Sequence, residues 1–257
     1  MKKTLIALAV AASAVVSGSA MAWAPNGSGG NVELGGTLTP QTKVTPWEVK
    51  IGASVNDIGG FIQKGTSEAE IALNKQIPLL AIRNAYVFKG QPGIKPFIDF
   101  GGALDVNGFS NNISTLTLNV KGDTGKIGVL KTNIYAAALL KATYPGGSGP
   151  IVNYMAASGN GAFKGGLPAT KGGVTMSNAY EKMAEIFPDI WQNEQPGKSV
   201  RWDIIDNEKF EDGKTNYSAS YAAGILNHSK IQIKLDAPAA ADAIAWTASL
   251  PISVSYH

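Results

Sequence analysis

The chain has 257 residues, with 22 Lys+Arg against 19 Asp+Glu, two His and no Cys. That length suits one large domain or one domain with an insert. A balance this close to neutral supplies no basic field for nucleic acid or an anionic membrane, and the missing cysteine excludes thiol catalysis, disulfides and cysteine-ligated metal sites.

Residues 1–22 read as an export leader. Lys2 and Lys3 open it, Leu5 to Val16 is its apolar core, and Ala20-Met21-Ala22 is a small-x-small cleavage site, so the mature chain is expected to start at Trp23. The apolar core is too short to span a bilayer as a helix, and no later run is long enough. Pro25 to Gly30 is too rich in Gly and Ser to pack. Asn31 to Thr39 then carries Val32, Leu34 and Leu38 on one face of an extended segment, with Gly36 between them, before Pro40 interrupts. A short apolar strand on a loose leash has two readings. It is an ordinary first strand of its own sheet, or it pairs with an open sheet edge on another molecule.

From Trp47 to Lys131 short apolar runs alternate with turn residues. Trp47, Val49 and Ile51 alternate. Runs follow at Glu70–Ile82, Ala85–Lys89 and Ile94–Phe100, and Ile113, Leu116, Leu118 and Val120 mark another before the run Ile127–Leu140. This text favours an antiparallel sandwich or barrel. Residues 144–176 break the rhythm with clustered glycines and read as part of an insert, about 141–200, carrying long loops. One helix is expected in it: Asn178 as N-cap, Glu181 three residues on, an apolar stripe of Tyr180, Met183, Ala184 and Phe187, and Pro188 as the stop. Strands resume over Val200–Ile205, Tyr217–Leu226, Ile231–Leu235 and Ile244–Tyr256. In the last of these Leu250, Ile252, Val254 and Tyr256 alternate to the penultimate residue, and such a terminal edge has to be covered. If that strand borders a gap, the detached leading strand of another subunit can fill it.

Enzymatic chemistry finds little support, and neither a cofactor nor a metal is expected. His228 sits in a turn and His257 at the terminus, and the acids Asp203, Asp206, Glu208, Glu211 and Asp212 read as a solvated face. The glycine-rich stretch Gly159–Gly166 neither follows a clear strand nor opens a helix, so it reads as a loop. The aromatics Phe163, Phe187, Trp191 and Trp202, with Lys164, Lys198 and Arg201, are candidates for stacking on a sugar face and binding its hydroxyls, although Phe187 also fits the helix stripe and a strand tryptophan also packs inward. Two rival classes are an outer-membrane β-barrel, which also ends on an aromatic strand, and a secreted glycan-active enzyme using the acids from Asp203 to Asp212.

The leader, the start at Trp23, the segment Asn31–Thr39 and Trp47-Glu-Val-Lys-Ile-Gly52 together resemble the opening of the Fae-type (FaeG-like) fimbrial subunits and adhesins of enterobacteria. Phe163-Lys-Gly-Gly-Leu167, Phe210-Glu-Asp-Gly213, Tyr217 to Ile225 and the close Trp246–Tyr256 are similar as well. The resemblance covers both ends well and the centre poorly. It implies an all-β, incomplete immunoglobulin-like sandwich (residues 41–257) completed by a donor strand from the extension 23–40, with an inserted loop and helix subdomain. It implies partners too: identical or related subunits, a periplasmic chaperone and an outer-membrane usher, with the product a fimbrium on the cell surface. In adhesive members the insert binds host glycans, often galactose-containing ones; a minor structural subunit binds none.

Overall fold

A computed structural model describes residues 34–38, 44–147, 151–155, 161–193, 202–240 and 242–257 of the chain, with 151–155 and Trp202 described by backbone alone. The chain divides into a leading unit, Met1–Lys43, and a body, Val44–His257. In the leading unit residues 34–38 carry no ladder, and Leu34 and Leu38 are 94% and 97% exposed. The expected leader lies outside the described residues.

The body is organised on one long strand, β7 (Gly125–Thr143), of 19 residues. Along one side of it run β10 (Asn216–Ile225) and then β11 (Lys230–Leu235), both antiparallel to it. Their pairing passes from Asn216↔Thr143 to Gly224↔Tyr135 and continues from Ile231↔Thr132 to Leu235↔Gly128. They are one long course broken at the turn between them. Outside that course lie β3 (Ile77–Asn84) on β10 and β2 (Glu68–Ala72) on β11, and β1 (Trp47–Ile51) borders β3. The far side of β7 carries β6 (Ile113–Gly122) and β8 (Ile151–Met155), bordered in turn by β12 (Thr247–Ala248) and β9 (Trp202–Ile205). The short β4 (Phe88–Lys89) meets the start of β10. A second, smaller layer pairs β5 (Pro96–Asp99) with β13 (Ser253–Tyr256).

The sandwich is open and the sheet does not close on itself, so the fold is all-β and immunoglobulin-like, and the β-barrel alternative is set aside. The run Ile134–Leu140 is continuously apolar because both of its faces are covered. Ile134, Ala136, Ala138, Leu140 and Ala142 enter the main core, while Tyr135, Ala137 and Leu139 lie under the helix α1 (Ala179–Ile186). A strand buried on two sides has no polar alternation to show. Small residues let the helix approach: a Cβ built on Gly224 of β10 would lie 2.6 Å from Ile186 Cγ2.

Three expectations are corrected. The helix starts after Asn178 as predicted, but that residue sits in the left-handed region (φ 53°) and its side chain makes no cap bond; asparagine tolerates this conformation and the backbone makes the turn itself. The region after Thr143 is less loop-like than its glycines suggest, since β8 extends the sheet from β7 and pairs with β9, which lies within the strand expected over Val200–Ile205. The run Ile244–Tyr256 is two short strands, β12 and β13, interrupted at Pro251 and paired to different partners.

Candidate functional site

Between the end of β1 and the C-terminal segment lies an apolar groove of about 520 Å³. Its floor is the main sheet, where Leu79, Leu116, Leu118, Leu130 and Ile231 present their side chains. One wall is Ile51 to Ile58, leaving β1, and the other is Trp246 to Ile252. Val55, Ile58 and Trp246 are half-buried against the lower core. Among the described residues no charged side chain lines the groove, so an occupant with a charge there finds no partner among them.

The backbone phase of the two walls follows from their ladders. Gly52 N–H donates to Leu79 O (2.9 Å) and Ala85 N–H to Pro46 O (2.7 Å), so the even residues of β1 bond to β3. The peptide groups of Trp47, Val49 and Ile51 therefore point away from β3, to an edge that carries no ladder among the described residues. In β13, which continues the other wall beyond Ile252, His257 N–H donates to Lys95 O (3.1 Å) and Ser253 pairs with Asp99, which sets the odd residues of β13 on β5. The peptide groups of Val254 and Tyr256 face the other edge, which carries no ladder among the described residues, and the side chains of Ile252 and Leu250 continue the alternation of buried side chains. Pro251 is odd. Its missing N–H falls on the β5 side, where a Cβ on Gly101 (φ 60°) would meet the Pro251 ring at 2.4 Å. The open edge loses no donor to it.

The walls run in opposite directions. The beginning of β1 lies near the end of β13, where Thr45 hydrogen-bonds the Tyr256 phenol and burial pushes that phenol's pKa up. The other end of β1 lies near Trp246–Leu250 across the groove. Two exposed edges with an apolar floor between them have the shape and chemistry of a slot for one extended chain, parallel to one wall and antiparallel to the other.

The sequence-derived residues fall out as follows. Leu250, Ile252, Val254 and Tyr256 all turn half-buried toward the main core. Of the leading segment, Leu34, Gly36 and Leu38 are described and Val32 is not. Among the glycan candidates, Phe163 is fully buried against Trp47 (5.6 Å between ring centroids) and Phe210 (5.9 Å). Phe187 and Trp191 are buried under the helix, and Tyr180 stacks on Trp191 at 4.8 Å. Rings packed this way offer no free face to a sugar. Lys164 is exposed over the Phe97 ring at 5.4 Å. Lys198 and Arg201 lie outside the described residues, and Trp202 begins β9.

Phe163-Lys-Gly-Gly-Leu167 is structural. Lys164 exchanges backbone bonds with Pro96 and Ile98 on the outer side of β5, and Gly165 (φ 69°) is obligatory because a Cβ there would lie 2.0 Å from Ile98 O. The acids are occupied as well: Glu208 accepts from the Tyr144 and Tyr217 hydroxyls (2.8 and 2.9 Å), and Asp212 accepts from Thr215. Burial first, then the Glu208 carboxylate, pushes both tyrosine pKa values up. Sequence reasoning missed the wall from Ile51 to Ile58. Its signal was the alternation beginning at Trp47, which shows a strand but not that one edge stays open.

Known proteins resemble this chain along its whole length. The K88 fimbrial proteins AB and AC of Escherichia coli are each 30% identical to this chain, over 288 and 287 residues and the full length of both partners. The F41 fimbrial protein of Escherichia coli is 27% identical over 286 residues, again across both full lengths. A family model described as fimbrial, major and minor subunit, of the K88 type, matches residues 1–257, and the chain belongs to that family of fimbrial subunits.

Proposed function

We propose that this subunit polymerises by donor-strand exchange: the leading segment of one copy enters the groove of the next, with Val32, Leu34, Gly36 and Leu38 turned to its floor. The observation that carries the reading is the pair of open, oppositely running edges on either side of an apolar floor. Leu34 and Leu38, exposed on a segment without a ladder, are the matching half. Burying each such side chain contributes about 1.5–3 kcal/mol before ladder bonds and ordering costs. The leader at residues 1–22 carries the chain out of the cytoplasm, a periplasmic chaperone holds the groove until assembly, and an usher passes the subunit to the surface. In this reading Leu250 to Tyr256 form the edge that chaperone and donor strand use in turn.

The test is deletion of residues 23–40. The shortened subunit is expected to fold and to bind its chaperone while forming no fibres; normal polymerisation of that variant would end the proposal. Receptor binding has less behind it. Three of the aromatic candidates are inside the body, and a structural subunit without a receptor accommodates their burial directly.

A further inference from the structure

β1 has two working faces. Trp47, Val49 and Ile51 turn toward the groove side, where Val49 and Ile51 remain 42% and 54% exposed. Glu48 and Lys50 turn the other way and meet the turn that follows α1. Lys50 Nζ lies 2.9 Å from Asp189 Oδ2. Glu48 Oε2 accepts from Arg83 Nε (2.7 Å) and from Asn193 Nδ2 (3.0 Å). Arg83 also donates to the Asp189 carbonyl, and Asn193 to the Asn84 carbonyl (3.1 Å). These bonds clip residues 189–193 onto β1 and β3, with Ile190 and Trp191 buried behind them.

β1 is short, five residues, and its ladder to β3 runs along one side only. Such an edge opens locally at lower cost than a core strand. The bonds from Glu48 and Lys50 form only while β1 is seated on β3, and a strand entering the groove needs the same seated β1 as its wall. Two events that each require one state of a shared element favour one another, and the effect is reciprocal. We propose that β1 couples occupancy of the groove to the seating of the 189–193 turn on its opposite face. A subunit with a filled groove holds the segment after α1 more firmly than a lone subunit does. This rests on reading the groove as a strand acceptor.

The probe is a synthetic peptide of residues 31–39, added to the full chain carrying Leu34→Asp and Leu38→Asp so that its own leading segment does not compete. Peptide binding should slow amide exchange at residues 189–193. In return, Lys50→Met with Arg83→Met should weaken peptide affinity by about three-fold, the scale that partly exposed ionic contacts supply. The Lys230→Met variant, which breaks a similar surface pair with Glu70 (2.6 Å) away from the groove, should leave affinity unchanged. Peptide that binds the clip variant as tightly as the parent, with exchange at 189–193 unaltered, overturns the coupling and leaves the acceptor reading standing. Absence of any peptide binding overturns both.

Discussion

Phe163 and Gly224 show how single positions carry the body. Phe163 sits among Trp47, Phe210 and Tyr221, with the Trp47 indole donating to Ile94 O at 2.6 Å. Truncation to alanine is expected to destabilise by about 3–5 kcal/mol, as for other buried Phe→Ala changes. A denaturant melt checks it, and an unchanged midpoint would return the ring to the ligand candidates. Gly224→Ala places a methyl against Ile186 and is expected to cost about 1–3 kcal/mol by overpacking, read in the same melt. Neither role was visible in the sequence. Phe163 reads as a loop aromatic flanked by glycines, and only the long-range pairing of Lys164 with β5 turns its ring inward.

Among the elements, the helix and the terminal strand were the most legible. Proline at 188 stops α1 as expected, and the alternation of Leu250 to Tyr256 gives the correct buried face. The break at Pro251 was harder to read, since a period of two survives it unchanged. The continuous run in β7 announced a strand but not the helix lying on its second face, because pairing partners distant in sequence decide that. The clip between β1 and the 189–193 turn gives a pH prediction. Hydrogen bonding from Arg83 holds the Glu48 pKa below its ordinary value, and Lys50 does the same for Asp189. A carboxylate with a lowered folded pKa contributes stability above its unfolded value, about pH 4, and loses it as pH falls through the folded value. The protection factor of the amides at 189–193, the exchange rate relative to that of an unstructured chain at the same pH, should therefore be flat from neutral pH down to the ordinary carboxylate range and fall below it. Loss of protection beginning at pH 6 would point to another group.

For the whole molecule, the proposed donor-strand exchange would join a tail at one end to a slot elsewhere in a head-to-tail contact that repeats without closing, which would yield a filament. Its two termini are chemically different. A chain carrying Leu34→Asp and Leu38→Asp keeps a slot but offers a damaged tail, so it can receive a neighbour and cannot enter one. Co-expressed with the normal chain, it should shorten fibres in proportion to its dose, as measured from length distributions in electron micrographs. Lengths that ignore the variant would contradict the head-to-tail scheme. The sequence suggested this plan through its two apolar ends, but the wall formed by β1 became visible only once β3 was seen to occupy one side of it.

Proline is the residue sheets use to turn newcomers away from a border. At position 251 that rejection faces inward, toward Gly101, so the border beside Val254 and Tyr256 greets any extended peptide with the same row of amides and carbonyls. Main-chain recognition there is indiscriminate. If the groove accepts strands as proposed, choosing the right guest falls to the fit of alternate side chains in the floor beneath, and poor matches would bind through main-chain bonds alone and more weakly.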